Sequence, residues 1–176
     1  MRRISIFLTN LGKYNEGCLI GEWVKLPVPK DKLEDVLCRI GINQEYEEYF
    51  ITDYESLLSN LQISEYSSIA ELNKLAERIE GLADHEYEKL AAVLECESSM
   101  SIAEVLGIID QLDSFDLLTE VEDDEALGEY FAECSCIFNG IPEHIQRYFD
   151  FESYGRDIRL EINCCYTSYG MVIDNR

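Results

Sequence analysis

From Leu90 to Gln146 the chain runs for 57 residues with 14 carboxylates and no Lys or Arg. Such a segment has no cation of its own to interleave with its acids, so its core must come from the apolar residues between them. That demands amphipathic elements. Glu122, Glu125, Glu129 and Glu133 are offset by 0, 3, 7 and 11 residues. At about 3.6 residues per turn they share one helix face, with Ala126, Leu127, Tyr130, Phe131 and Cys134 on the other. Like charges at these spacings repel by roughly a few tenths of a kcal/mol each, and no lysine relieves them.

The charge is concentrated. Residues 40–146 hold 26 acids against Lys74, Arg78 and Lys89, a balance of -23, whereas the rest of the chain holds 10 acids and 11 bases, a balance of +1. A field of that sign repels nucleic acid and anionic membrane surfaces and steers basic partners inward, so direct nucleic-acid binding and membrane association are not expected. No apolar run of about 18 residues could span a bilayer. Met1-Arg2-Arg3-Ile4 leads into an alternating segment, not a signal-peptide core, and a cytoplasmic protein is expected. The 47% apolar share supports a globular core despite the net charge of -22. Seven cysteines without an export signal read as reduced, buried thiols.

RISIFLT at 3–9 and CLIGEWVKL at 18–26 are rich in β-branched and aromatic residues and predict a strand pair with a turn at 10–17. Asp31 is placed to cap a short helix carrying Leu33, Val36, Leu37 and Ile40, with Gly41 as its stop. A third strand is predicted over 47–55. Ser68 with Glu71, and Ser101 with Glu104, have capping-box spacing. Between them Ile69, Leu72, Leu75, Ala76, Ile79 and Leu82, then Tyr87, Leu90, Ala91 and Leu94 behind Asp84, predict two amphipathic helices. FDLLTEV at 115–121 predicts a strand before the glutamate helix. IPEHIQRYFDFESYG at 141–155 predicts one helix with Ile145, Tyr148 and Phe149 inward and Gly155 as its stop, and 158–173 a closing hairpin. The expected fold class is α+β, an elongated chain of three small subdomains: an N-terminal sheet with a helix at 1–66, an acidic helical bundle at 67–112, and a C-terminal sheet with helices at 113–176.

Catalytic chemistry finds no framework. Cys134-x-Cys136 with His144 falls short of the four ligands of a structural zinc site, and Cys164 and Cys165 point to opposite faces of a predicted strand. Glu122-Asp123-Asp124-Glu125 lacks the alternating ligands and central glycine of an EF-hand loop. Neither His85 nor His144 lies in a motif with a nucleophile, and no glycine-rich phosphate loop or dinucleotide fingerprint occurs. No catalytic residue, metal or cofactor is expected.

The carboxylates themselves are the candidate site. Duplex DNA carries one charge per roughly 1.7 Å of axis, so the 23 net charges of residues 40–146 match roughly 40 Å of duplex. The candidates to stand in for phosphates are Glu45, Glu47, Glu48, Asp53 and Glu55 around the third strand. They continue with Glu71, Glu77, Glu80, Glu86, Glu88, Glu95, Glu104 and Asp110 on the central helices. Glu122, Asp123, Asp124, Glu125, Glu129 and Glu133 complete the set. An acidic adaptor or chaperone for a basic host protein is the alternative that composition alone allows.

Several stretches carry a more specific signal. Asn10-Leu11-Gly12-Lys13-Tyr14-Asn15-Glu16-Gly17, Tyr46-Glu47-Glu48-Tyr49, Asp53-Tyr54-Glu55 and Glu65-Tyr66-Ser67-Ser68-Ile69 with Glu71-Leu72-Asn73 resemble the ArdA antirestriction proteins of conjugative elements and phages. Ile141-Pro142-Glu143-His144-Ile145-Gln146-Arg147-Tyr148-Phe149-Asp150 is similar to that family's antirestriction motif, and Tyr154-Gly155-Arg156-Asp157 continues the likeness. The resemblance implies a non-enzymatic DNA mimic. Its partner would be a type I restriction-modification enzyme, whose methylase core and specificity subunit form the DNA groove it fills. It also implies a homodimer, with Ile141, Pro142, Ile145, Tyr148 and Phe149 at the contact.

Overall fold

A computed structural model describes residues 3–176. Strand β1 (Ser5–Asn10) buries Ile6 and Leu8 completely, the alternation expected of a strand with one covered face. It is followed by α1 (Leu11–Asn15), β2 (Gly21–Lys25), α2 (Lys30–Arg39) and β3 (Tyr49–Glu55). β1 is the middle strand of an antiparallel sheet of order β2-β1-β3.

The predicted strand pair is present, but its connection contains a helical turn because Asn10 caps it. The Asn10 Oδ1 accepts the Lys13 N–H at 2.9 Å, and its Nδ2 donates to the Ile40 carbonyl at 3.1 Å. Asn10 is wholly buried, so one satisfied polar side chain ties the start of α1 to the end of α2. Pro29, not Asp31, takes the N-cap position of α2. Asp31 lies in the first turn, where it faces the positive end of the helix dipole. Gly41 does end that helix, at φ +82.

The chain continues through β4 (Leu61–Gln62), α3 (Ile69–Gly81), α4 (Asp84–Cys96), β5 (Met100–Ser101) and α5 (Ile102–Asp110). β4 and β5 pair in parallel. Ile69, Leu72, Leu75, Ala76 and Ile79 form the buried stripe of α3, and Ile102, Val105, Ile108 and Ile109 that of α5, which packs on it. The Ser101 box is formed. Its N–H and Oγ both donate to Glu104 Oε2, at 2.8 and 2.6 Å. Ser68 is the N-cap of α3 but makes no side-chain cap bond; the local side-chain bonding is made one residue earlier, by Ser67 with Ser64. α4 buries Leu90, Ala91, Ala92, Val93 and Leu94 in succession, a helix enclosed on more than the single face expected.

The remaining elements are β6 (Phe115–Leu118), α6 (Asp124–Cys134), α7 (Glu143–Gln146), α8 (Phe151–Glu161), β7 (Cys164–Thr167) and β8 (Gly170–Asp174). The last three strands form an antiparallel sheet of order β6-β8-β7, closed by the predicted hairpin. The single helix expected over 141–155 is two. Asp150 interrupts it and caps α8, accepting the Ser153 N–H at 2.9 Å and the Ser153 hydroxyl at 2.7 Å. Gly155 is no stop; it lies inside α8, where that helix crosses α6. A Cβ on Gly155 would overlap the Asp124 carbonyl, and one on Gly128 would overlap the Phe151 carbonyl. Two facing glycines thus let the helix backbones touch.

The contacts gather into two units, one of residues up to Asp84 with Ser99–Asp110, the other of His85–Ser98 with Gln111–Arg176. The central helices are therefore divided, α3 and α5 in the first unit and α4 in the second. In the second, Lys89 Nζ donates to the Phe115 carbonyl at 2.8 Å, and the Ser168 N–H and hydroxyl donate to Glu95, each at 2.7 Å. Val121, Leu127 and Met171 centre a core that Leu118, Phe131, Ile158 and Ile173 complete. The fold is α+β. Among the described residues no helix is long and apolar enough to cross a membrane.

Candidate functional site

The carboxylates follow from helix periodicity and from the scarcity of cations. In the first unit Glu45, Glu47, Glu48, Asp53, Glu55, Glu71, Glu77, Glu80, Glu104 and Asp110 are all exposed. In the second, Glu88, Glu122, Asp123, Glu125, Glu129 and Glu133 are exposed, and Glu86, Glu95 and Asp124 are half-buried. Several have structural work. Asp110 pairs with Arg78 at 2.6 Å, Glu104 closes the Ser101 box, and Glu95 holds Ser168. Asp123 is the N-cap of α6, accepting the Ala126 N–H at 2.9 Å.

The glutamate row is shorter on its helix than the spacing predicts. Because Asp123 caps α6, Glu122 precedes the helix, and the face carries Glu125, Glu129 and Glu133. Those three are exposed and form no ion pair among the described residues. Behind them Leu127, Gly128 and Ala132 are buried, while Tyr130 and Cys134, expected inward, are exposed. The glycines of the α6–α8 crossing draw the buried stripe toward Gly128 and leave those two at its margin.

Asp124, half-buried, is engaged within the fold. Arg159, 35 residues away, donates to it from Nε at 2.7 Å and from a terminal nitrogen at 3.1 Å, and the Tyr166 hydroxyl donates at 2.8 Å. The Arg159 guanidinium holds the Asp124 carboxyl below its ordinary range, helped by Tyr166. Burial, with the Asp124 bond, pushes the Tyr166 phenol up. A carboxyl with a depressed folded pKa contributes stability above its unfolded pKa and loses it as pH falls through the folded value. The stability difference between the wild type and Asp124→Asn is therefore expected to be full at neutral pH and to shrink steadily below about pH 4. Urea titrations across that range measure it, and a difference constant with pH would remove the ion pair as its cause.

The stretch at 10–17 does structural work. Lys13 Nζ donates to Glu16 Oε2 at 2.9 Å and to the Tyr46 hydroxyl at 2.7 Å, and lies 4.0 Å from the centre of the Tyr46 ring. The Tyr46 hydroxyl donates in turn to Glu16 Oε1 at 2.7 Å. These bonds, Tyr46 first, raise the Lys13 pKa, and Lys13 lowers that of Glu16. Gly12 is required because a Cβ would overlap the Tyr46 ring.

In the segment 141–149, Ile141 is 39%, Ile145 48% and Tyr148 81% exposed, and Pro142 is exposed. Phe149 differs: its ring meets Phe138, Phe151 and Tyr154 at 5.0–5.3 Å between centroids. Cys18, Cys38, Cys134 and Cys136 are exposed, and Cys96, Cys164 and Cys165 partly buried. The expected buried thiols are thus absent from the apolar stripes, which Leu, Ile and Val fill instead. Burial, with the neighbouring Cys165 thiol, pushes the Cys96 thiol up. Among the described residues no group of His, Cys, Asp and Glu is arranged to hold a metal ion.

The chain is thus a mixed α+β protein that displays most of its acids. Residues 6–173 match the model of the antirestriction protein ArdA, and the chain belongs to that family. It is therefore an antirestriction protein, of a family that acts on restriction-modification enzymes as an inhibitor. Curated proteins give no match to the chain.

Proposed function

We propose that this antirestriction protein works by DNA mimicry, its carboxylates taking the place of phosphates in the DNA groove of a type I restriction-modification enzyme. The groove is that of the methylase core with its specificity subunit, so restriction and modification of incoming DNA are both blocked. The observation that carries this reading is the exposed row Glu125, Glu129 and Glu133, with no cation among the described residues to neutralise it. Successive members are about 6 Å apart along the axis at about 1.5 Å rise per residue, a spacing that lysines and arginines gripping a phosphate backbone can meet. Competition against a labelled duplex on a purified type I methylase core tests it. Displacement at stoichiometric protein is expected, and unchanged DNA binding in large excess of protein sinks the reading. Direct affinity for the core should also fall as salt rises, because screening weakens exposed charge pairs beyond a Debye length of about 10 Å at 0.1 M.

The exposed apolar edge of Ile141, Ile145 and Tyr148 supports a second element of the same proposal, a homodimer contact. Tyr148→Ala is the clean probe, since Tyr148 projects into solvent while Phe149 sits in an aromatic cluster whose loss would also disturb the fold. Sedimentation at micromolar concentration should show a wild-type dimer and a Tyr148→Ala monomer. A wild type that is already monomeric refutes it.

A further inference from the structure

The sheet of the first unit sets Asp53, one of the candidate phosphate stand-ins, beside aromatic rings that charge imitation alone does not use. Trp23 on β2, Phe7 on β1 and Asp53 on β3 are register partners, so their side chains share the face opposite Ile6 and Leu8. The Trp23 and Phe7 rings meet edge to face at 5.4 Å, and Gly21 leaves room for Phe7, since a Cβ there would come within 2.6 Å of its ring. Trp23 is 42% exposed and Tyr14 50%. With Phe50 and Glu65 these residues line an open pocket of about 440 Å³ in which, among the described residues, no Lys or Arg takes part.

A lining of exposed Trp23, Tyr14 and Leu19, with Phe7 partly buried, Phe50 buried and two carboxylates among them, suits one side chain better than any other. A guanidinium is planar and weakly hydrated, stacks on aromatic faces, and pairs with carboxylates in two-pronged fashion. Neutral apolar groups would leave Asp53 and Glu65 unused, and a phosphate would be repelled. We propose that this pocket is an arginine-docking site, in which a guanidinium of the bound restriction enzyme lies against Trp23 and Phe7 and pairs with Asp53 and Glu65. It rests on the DNA-mimic reading only for the protein that supplies the arginine. The pocket is then a discrete anchor within a surface whose other contacts are collective, as tryptophan and arginine serve at other protein interfaces.

Trp23 is the sole tryptophan of the chain, so its emission reports on the pocket directly. The probe is an acetylated, amidated glycine-arginine-glycine tripeptide, with its citrulline counterpart as the uncharged isostere. Titrations are run in about 0.5 M salt, where a Debye length under about 5 Å screens the wider acidic surface. A saturable emission change is expected for the arginine peptide, at least fivefold tighter than for citrulline. It should be lost in Asp53→Asn/Glu65→Gln and kept in Glu125→Gln/Glu129→Gln/Glu133→Gln. Equal response to both peptides, or a response indifferent to Asp53 and Glu65, overturns the site. An emission change on raising protein concentration alone would assign the pocket to a second copy of the chain and also overturn it. On the methylase core, the Asp53→Asn/Glu65→Gln protein should bind at least fivefold more weakly than wild type. Undiminished binding there overturns the proposal, whereas a wild type that never displaces DNA defeats the mimicry reading and leaves the peptide titration to judge the pocket.

Discussion

Gly155→Ala is expected to lower the melting temperature of the protein by roughly 6 to 12 °C. The added Cβ would overlap the Asp124 carbonyl across the α6–α8 crossing, and a backbone atom cannot swing aside as a side-chain end can. The helices must separate, which loosens the core around Leu127 and Met171. Overpacking of this kind costs about 3 kcal/mol, and a chain of this length loses roughly 2 to 4 °C per kcal/mol. Gly107 supplies the control of opposite sign. It lies within α5 with nothing near its missing Cβ, so Gly107→Ala should stabilise by about 0.5 to 1 kcal/mol through helix propensity. Thermal unfolding followed by circular dichroism measures both, and a Gly155→Ala protein that melts with the wild type would deny the close crossing.

The second large effect is collective. Changing Glu125, Glu129 and Glu133 together to Gln is expected to weaken inhibition of the restriction enzyme about tenfold. Each single change should cost about twofold, since an exposed charge pair is worth about 0.2 to 1 kcal/mol. The fold should not suffer, because removing like charges at i, i+4 relieves repulsion; the triple variant should melt at or above the wild-type temperature. Weakened inhibition with unimpaired stability is the signature sought. If one substitution alone matched the triple, a discrete site would replace the distributed row.

The α+β character was legible in the sequence because it rests on local pattern. The alternation of β1, the stripe of α3 and the Ser101 box all announce themselves within ten or so residues. The exposure of most of the carboxylates was legible for a similar reason, since a stretch without Lys or Arg has no cation of its own to pair them with. What was not legible depends on distant partners. Nothing near Asp124 signals that Arg159 and Tyr166 will claim it, and Gly155 reads as a helix stop unless Gly128 is known to face it. The helix break before Phe151 is Asp150 acting as a cap, in a run whose composition alone reads as continuous. The Trp23, Phe7 and Asp53 row exists only through the register of three strands, which period-two patterning does not fix. The motif at 10–17 was recognisable as a signature, yet its physical content, the Lys13, Glu16 and Tyr46 knot, needed a residue 33 positions beyond Lys13.

The open spacing of the α6 row carries a consequence for competition with DNA. A duplex, at one charge per roughly 1.7 Å, holds a condensed sheath of cations, and their release drives proteins onto it most strongly when salt is dilute. Glutamates about 6 Å apart along a helix axis hold a thinner ion atmosphere and have fewer ions to give up. As salt rises toward cellular levels, the duplex therefore surrenders more of its advantage than the protein does. If the proposed mimicry holds, that lower charge density makes the protein's binding fall less steeply with salt than the duplex's, and the balance of the competition moves toward the protein as salt rises.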